Sequence, residues 1–116
     1  MHSPQRHRGH REERVLCSLC HELQICGLCF ERQKPLPVVY KNVRLDCGYR
    51  LDVLVENRII LELKSCEQID PIHKAQVLTY LKLSDLKLGL ILNFNVPVIK
   101  EGIVRILNGY LKENQD

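Results

Sequence analysis

The sequence lacks any apolar run long enough to cross a membrane. Its hydrophobic residues, 45% of the total, are interspersed with 27% of charged residues, whereas a transmembrane helix needs about 20 consecutive apolar residues. The first residues also lack the apolar stretch of an export signal. With six cysteines and no such signal, we expect a cytoplasmic protein without disulfides, and we expect no membrane partner.

The sequence also lacks a strong surplus of either charge. Of its 17 Lys and Arg and 14 Asp and Glu, residues 1–14 hold four Arg and two Glu, which leaves 13 basic and 12 acidic residues elsewhere. Composition alone is therefore weak support for a nucleic-acid partner. Residues 1–14 show no apolar periodicity, so we predict a disordered His- and Arg-rich tail there and a single domain over residues 15–116.

The cysteines lack the usual spacing of a zinc site. Cys17 and Cys20 are separated by two residues, as are Cys26 and Cys29, but only five residues separate the two pairs, fewer than zinc modules normally have. An apolar stripe predicts a helix over residues 12–27, which would spread the four thiols over several faces. We interpret these cysteines as small, buried helical residues and keep a zinc site as the weaker alternative.

Residues 49–65, YRLDVLVENRIILELKS, form the most informative stretch. Two runs rich in Val, Ile and Leu flank a polar break and predict two antiparallel strands joined by a tight turn. Both faces of these strands are apolar, which predicts helices packed on both sides of the sheet. The charges of Asp52, Glu62 and Lys64 are costly inside such a hairpin unless they are paired, solvated or bound to a metal.

The connection between these two strands decides whether the three charges lie together. A three-residue connection at 56–58 places Asp52 opposite Glu62, on the same face of the sheet as Lys64. A two-residue turn would instead split the charges between the two faces. We predict the three-residue connection.

The flanking segments indicate an α/β fold. The predicted elements are a strand from Val38 to Val43, a helix over 71–84 capped by Asp70 and begun by Pro71, a strand from Lys87 to Phe94, and a final helix over 98–112. The order is then helix, three strands, helix, strand, helix. Because a strand–helix–strand succession favours parallel pairing, we predict a mixed four-stranded sheet flanked by helices.

Two carboxylates and a lysine at one end of a sheet suit a hard divalent cation. Mg²⁺ prefers oxygen ligands and keeps several waters, and a metal-bound water is a usable nucleophile in phosphoryl chemistry. Lys64 could orient that water or stabilise negative charge in the transition state. The structural alternative is an ion pair between Asp52 and Lys64 or Arg50. Gln76 and Tyr80 lie one helical turn apart on the same side of their helix.

The stretches RLDVLV, ILELK and QVLTY resemble the PD-(D/E)XK nuclease superfamily, and the last of them resembles the QxxxY element of its RecB-like members. The resemblance is closer to the small bacterial GxxExxY proteins of that superfamily. It covers residues 22–110, through ELQICGLCFERQKPLPVVYKN, GYRLDVLVENRIILELKS, IHKAQVLTYLKLSDLKLGLILNFNVP and KEGIVRILN. It implies a restriction-endonuclease-like core, in agreement with the predicted order of elements. The GxxExxY motif itself would fall before residue 15 and is absent there.

The resemblance also implies roles for the residues of the hairpin. Asp52 would be the acidic residue of the second core strand, and Glu62 and Lys64 would be the ExK pair of the third. Mg²⁺ or Mn²⁺ would be held by Asp52, Glu62 and the main-chain carbonyl of Leu63.

The helices would complete the implied site. Gln76 and Tyr80 would contact phosphate or fix the water network, and Glu22 on the first helix would supply a further carboxylate to the metal. The implied function is a metal-dependent nuclease that hydrolyses phosphodiester bonds, with DNA as the expected substrate. The alternative is a catalytically inactive module on the same scaffold that binds nucleic acid or protein. A homodimer or a protein partner is open in both cases.

Overall fold

The computed structural model describes residues 10–45, 48–96 and 99–109. The helices are α1 (His10–Ile25) and α2 (Pro71–Ser84), with a 3₁₀ helix at Ile99–Gly102. The strands are β1 (Phe30–Pro35), β2 (Val38–Tyr40), β3 (Val43–Leu45), β4 (Arg50–Val55), β5 (Ile59–Lys64), β6 (Leu88–Asn93) and β7 (Ile103–Leu107). Neither α-helix of this part of the chain combines the length and apolar character that a membrane span requires.

A mixed sheet of five strands forms the centre of the fold, in the order β1-β4-β5-β6-β7. Strands β5 and β6 are parallel, and each of the other neighbouring pairs is antiparallel. Helix α2 provides the crossover that a parallel pair needs. The predicted α/β class is therefore confirmed, together with the predicted bounds of α2. The strand predicted from Lys87 to Phe94 is also present, and it is one residue shorter at each end.

The two helices cover opposite faces of the sheet. One core cluster joins α2 to the sheet, and its members include Val77, Leu81, Leu54 and Ile60. The other joins α1 to the sheet, and its members include Leu16, Cys20, Val53 and Leu61. Because side chains alternate along a strand, Glu62 and Lys64 lie on the face that α2 covers, opposite to Leu61 and Leu63 of the α1 cluster. Asp52 lies beside Glu62, whose Oε1 accepts from the Asp52 N–H.

The final helix predicted over 98–112 is wrong. Residues 99–109 instead form the 3₁₀ helix and then β7, which adds a fifth strand to a sheet predicted to have four. Residues 98 and 110–112 of the predicted helix lie outside the described part. Three residues of β7 are β-branched, namely Ile103, Val104 and Ile106, and such side chains favour strands. Burial alternates along β7, with Val104 and Ile106 more buried than the residues beside them.

The strand predicted from Val38 to Val43 is also wrong. Residues 38–45 form a separate hairpin of β2 and β3, which turns at Lys41 and Asn42 with φ values of 49° and 65°. The first strand of the main sheet is β1, which pairs with β4. It was missed because FERQKP contains charged residues and a proline, which are tolerated at the edge of a sheet.

Helix α1 begins at His10, so the tail predicted over residues 1–14 is wrong for residues 10–14, and residues 1–9 lie outside the described part. The helix ends at Ile25, two residues before the predicted end.

Only one of the four clustered cysteines is buried. Cys20 packs in the core, whereas Cys17 is exposed on α1 and both Cys26 and Cys29 are exposed beyond its end. The interpretation as buried helical residues therefore holds for Cys20 alone, because α1 buries only one narrow stripe. Within residues 10–45, 48–96 and 99–109, no group of three or more His, Cys, Asp or Glu side chains is placed to hold a metal, so the zinc alternative has no geometric support.

We expect Gly102→Ala to destabilise the fold strongly. A Cβ atom at this position would overlap the main-chain carbonyl oxygen of Asn93, which cannot rotate away as a side chain can. Overpacking of this kind costs about 3 kcal/mol or more when rigid atoms collide. Urea unfolding measures the effect. Gly27→Ala is the matched control, because its new methyl group meets no atom and carries only the strain of φ +77°, about 1–2 kcal/mol. Equal costs for the two variants would contradict the expected overlap.

Candidate functional site

The central hairpin has the predicted register. Val55 pairs with Ile59 and Val53 pairs with Leu61, so the connection is the three-residue turn at 56–58. Glu56 and Asn57 in this turn both have φ of 54°. The predicted three-residue connection is therefore confirmed, and the pairing of the two strands ends at Val53 and Leu61.

Beyond Val53 and Leu61, side-chain oxygens accept the main-chain hydrogen bonds of this hairpin. The N–H of Asp52 donates to Oε1 of Glu62 at 3.1 Å, and the N–H of Leu63 donates to Oδ2 of Asp52 at 2.8 Å. Each carboxylate is thus held by the backbone of the opposite strand. This reciprocal arrangement fixes two acidic groups side by side at one end of the sheet.

The three charged side chains of the hairpin are buried, with exposed fractions of 7% for Asp52, 5% for Glu62 and 7% for Lys64. Burial, and next the negative charge of Asp52, raise the pKa of Glu62 to about 8, while Lys64 acts in the opposite direction. Two like charges in a dry environment repel each other. A divalent cation between them would relieve that repulsion, and carboxylate oxygens are the ligands that Mg²⁺ and Mn²⁺ prefer.

Helix α2 adds two polar side chains to the site. Nζ of Lys64 donates to Oε1 of Gln76 at 3.5 Å, and Nε2 of Gln76 donates to the hydroxyl oxygen of Tyr80 at 3.0 Å. The amide orientation follows from the lysine, which can only donate. Burial, followed by the charge of Glu62, raises the pKa of Tyr80 to about 12. The Tyr80 hydroxyl therefore keeps its proton at neutral pH and can donate it in a hydrogen bond.

A cleft of 510 Å³ opens beside these groups, and its lining includes Lys64, Gln76, Tyr80, Tyr49, Ile72 and His73. The rings of Tyr49 and Tyr80 lie 5.7 Å apart between centroids. Tyr49 and His73 were not predicted as site residues, because neither belongs to the motifs and only the folded chain brings them to Lys64. The cleft gives a substrate access to the otherwise buried lysine.

The structure does not bring Glu22 to Asp52 and Glu62. Glu22 is exposed on α1, which covers the other face of the sheet. The described residues also contain no group of three acidic or other metal-binding side chains that could include it. Leu63 lies between Glu62 and Lys64 in β5. The donor set that fits a divalent cation is therefore two carboxylates, with the Leu63 carbonyl as a predicted third ligand.

Asn93 is a buried polar residue that sequence reasoning missed. Its exposed fraction is 3%, its Nδ2 donates to the Cys66 carbonyl at 2.9 Å, and its Oδ1 accepts from the Cys66 N–H at 3.2 Å. The N–H of Phe94 donates to the Lys64 carbonyl at 3.0 Å. The end of β6 thus fixes the main chain at Lys64 and Cys66. The available signal was a polar residue closing the apolar run LGLILN.

Comparison with known protein families gives one match. The sequence model of the PD-(D/E)XK nuclease superfamily matches residues 8–106. No curated protein and no solved structure matches the chain. The matched range contains both strands of the central hairpin and all of α2.

Proposed function

The chain belongs to the PD-(D/E)XK nuclease superfamily, and from this membership we propose that it is a metal-dependent nuclease that hydrolyses phosphodiester bonds of DNA. Nuclease-like function in general follows from the family. The observation that carries the proposal is the pair of buried carboxylates, Asp52 and Glu62, each hydrogen-bonded to the backbone of the other's strand, with Lys64 on the same face.

Nucleases of this superfamily generally use divalent metals. In this proposal Asp52, Glu62 and the Leu63 carbonyl would hold Mg²⁺ or Mn²⁺. Glu22 is left out of the ligand set because α1 covers the opposite face. When bound, such a metal supplies a more acidic water and neutralises charge on the phosphoryl group.

The side chains of the chain itself would bind and orient the phosphate. The ammonium of Lys64 reaches the cleft and is a fixed positive charge for the phosphoryl oxygens, a role that is most effective in a site from which water is excluded. Gln76 holds the ammonium through its carbonyl oxygen, and it holds Tyr80 through its amide N–H. Because Tyr80 keeps its proton, its hydroxyl is a donor for a phosphate oxygen or for the attacking water.

The subfamily is a finer part of the same proposal. The hydrogen bond between Gln76 and Tyr80 supports a place among the RecB-like members with a QxxxY element. The four quoted sequence stretches support a place among the bacterial GxxExxY proteins. We also propose one domain from residue 10 onward, a cytoplasmic location, and action as a homodimer or with a protein partner.

The test is a cleavage assay of the purified chain. Fluorescent single-stranded and duplex DNA, and RNA of the same sequence, are incubated with Mg²⁺, with Mn²⁺ or with EDTA. We expect cleavage of DNA with either metal and none in EDTA, because the two carboxylates alone carry no nucleophilic water. Cleavage of RNA but not DNA would correct the substrate. No cleavage of any strand, together with no heat released on calorimetric titration with Mn²⁺, would refute the proposed enzyme and favour the inactive binding module.

A further inference from the structure

The cleft contains a histidine that the proposed catalytic set does not use. His73 is the third residue of α2, three residues before Gln76, and it lines the same cleft as Lys64 and Tyr80. Residues three apart on a helix are neighbours, about 5–6 Å between Cβ atoms. A nucleic-acid strand bound at Lys64 and Gln76 would therefore also pass close to His73.

The hydrogen bond at the start of α2 fixes which ring nitrogen of His73 carries the proton. The main-chain N–H of Asp70 donates to Nδ1 of His73 at 3.0 Å. Because Nδ1 accepts, the neutral ring carries its hydrogen on Nε2. The two nitrogens point in nearly opposite directions, so the Nε2–H points away from the helix start while the half-buried ring lines the cleft.

We propose that His73 is a further substrate-binding residue, whose Nε2–H donates to a non-bridging phosphate oxygen of the nucleic acid, next to the phosphate that Lys64 contacts. This inference rests on the proposed function. The exposed side chain of Ile72 supports it, since a large apolar group that is 72% exposed stands beside the histidine at the cleft. Tyr49 adds an aromatic ring to the same lining. Apolar and aromatic walls beside a phosphate donor suit the sugar and base of a nucleotide.

The competing explanation is that the His73 ring serves only to cap α2. Two substitutions separate the roles. His73→Gln retains both the capping hydrogen bond and the donor in the cleft. Glutamine at the third helical position accepts the N–H of the capping residue, and its amide N–H remains available to the cleft. His73→Asn keeps an acceptor where Nδ1 stands but loses the donor at the position of Nε2. His21→Asn is the matched control, because His21 is exposed on α1, which covers the other face.

The experiment measures the affinity of each variant for a fluorescein-labelled DNA oligonucleotide by anisotropy in EDTA, its cleavage rate in Mn²⁺, and its Tm. We expect His73→Asn to bind the oligonucleotide about tenfold more weakly, the usual effect of removing one hydrogen bond to a charged group. Its Tm should equal that of the wild type. The cleavage rate at low substrate concentration falls by the same factor. His73→Gln stays within about threefold of the wild-type affinity, and His21→Asn changes neither affinity nor rate.

The outcomes separate this inference from the proposed function. If the wild type cleaves and His73→Asn binds as tightly as the wild type, the role of His73 is refuted and the nuclease proposal stands. If His73→Asn and His73→Gln lose affinity together with a matching fall in Tm, the ring only caps the helix and the inference is again refuted. A wild type that binds and cleaves neither DNA nor RNA refutes both.

Discussion

Replacing Lys64 by methionine is expected to lower the cleavage rate by about three orders of magnitude, the usual loss when a fixed charge or donor is removed from a developing anion. Lys64 is buried at the end of β5, and its ammonium is held by Gln76 on the wall of the cleft. Methionine keeps the apolar stem in place without the charge. Single-turnover cleavage of a labelled DNA strand at saturating Mn²⁺ measures the change.

The matched control for this substitution is Lys87→Met. Lys87 is exposed and lies just before β6. It is therefore distant from Lys64, which pairs with Asn93 at the opposite end of that strand. We expect its cleavage rate to equal that of the wild type. Circular dichroism and thermal unfolding in Mn²⁺ check that both variants remain folded. Full activity of Lys64→Met would show that the cation acting on the phosphate is elsewhere.

The arrangement of the candidate site could be predicted largely because its residues lie in one local unit. The hairpin register depends on the length of the connection at 56–58 and on two apolar runs, all of which are visible in the sequence. Once the register is known, the alternation of a strand places Asp52, Glu62 and Lys64 on one face. The spacing of Gln76 and Tyr80 on a well-capped helix is equally local.

The errors concern segments whose structure depends on distant neighbours. The apolar pattern of residues 103–107 is compatible with a helix as well as with a strand. These residues form a strand because they pair with the edge of β6 that would otherwise be open. Glu22 could not be assigned to a face, because the face that α1 covers depends on the path of the chain between α1 and β1. His73 and Asn93 belong to no sequence motif. They stand out only through their hydrogen bonds, that of His73 with the start of α2 and that of Asn93 with Cys66.

Replacing Glu62 by glutamine is expected to stabilise the metal-free protein at pH 8. The pKa of Glu62 is raised from 4.5 to about 8 in the folded protein, so between these values the folded state holds a proton that the unfolded state has lost. The free energy of unfolding of the wild type in EDTA therefore falls as pH rises from 4.5 to 8. Glutamine keeps the oxygen that accepts from the Asp52 N–H and carries no charge. The stability gained at pH 8 is on the order of a few kcal/mol.

The sign of this change distinguishes a metal site from a structural ion pair. If Glu62 served to neutralise Lys64, removing its charge would destabilise the protein by about 3–5 kcal/mol, the usual cost of breaking a buried pair. If Glu62 is instead a metal ligand, the free energy of unfolding, measured with urea in EDTA, depends more steeply on pH for the wild type than for Glu62→Gln. Added Mn²⁺ then raises the Tm of the wild type alone. Glu67→Gln is the control, because Glu67 is exposed and should leave the pH dependence unchanged. A less stable Glu62→Gln that still gains stability from Mn²⁺ would contradict the assignment of Glu62 as a ligand.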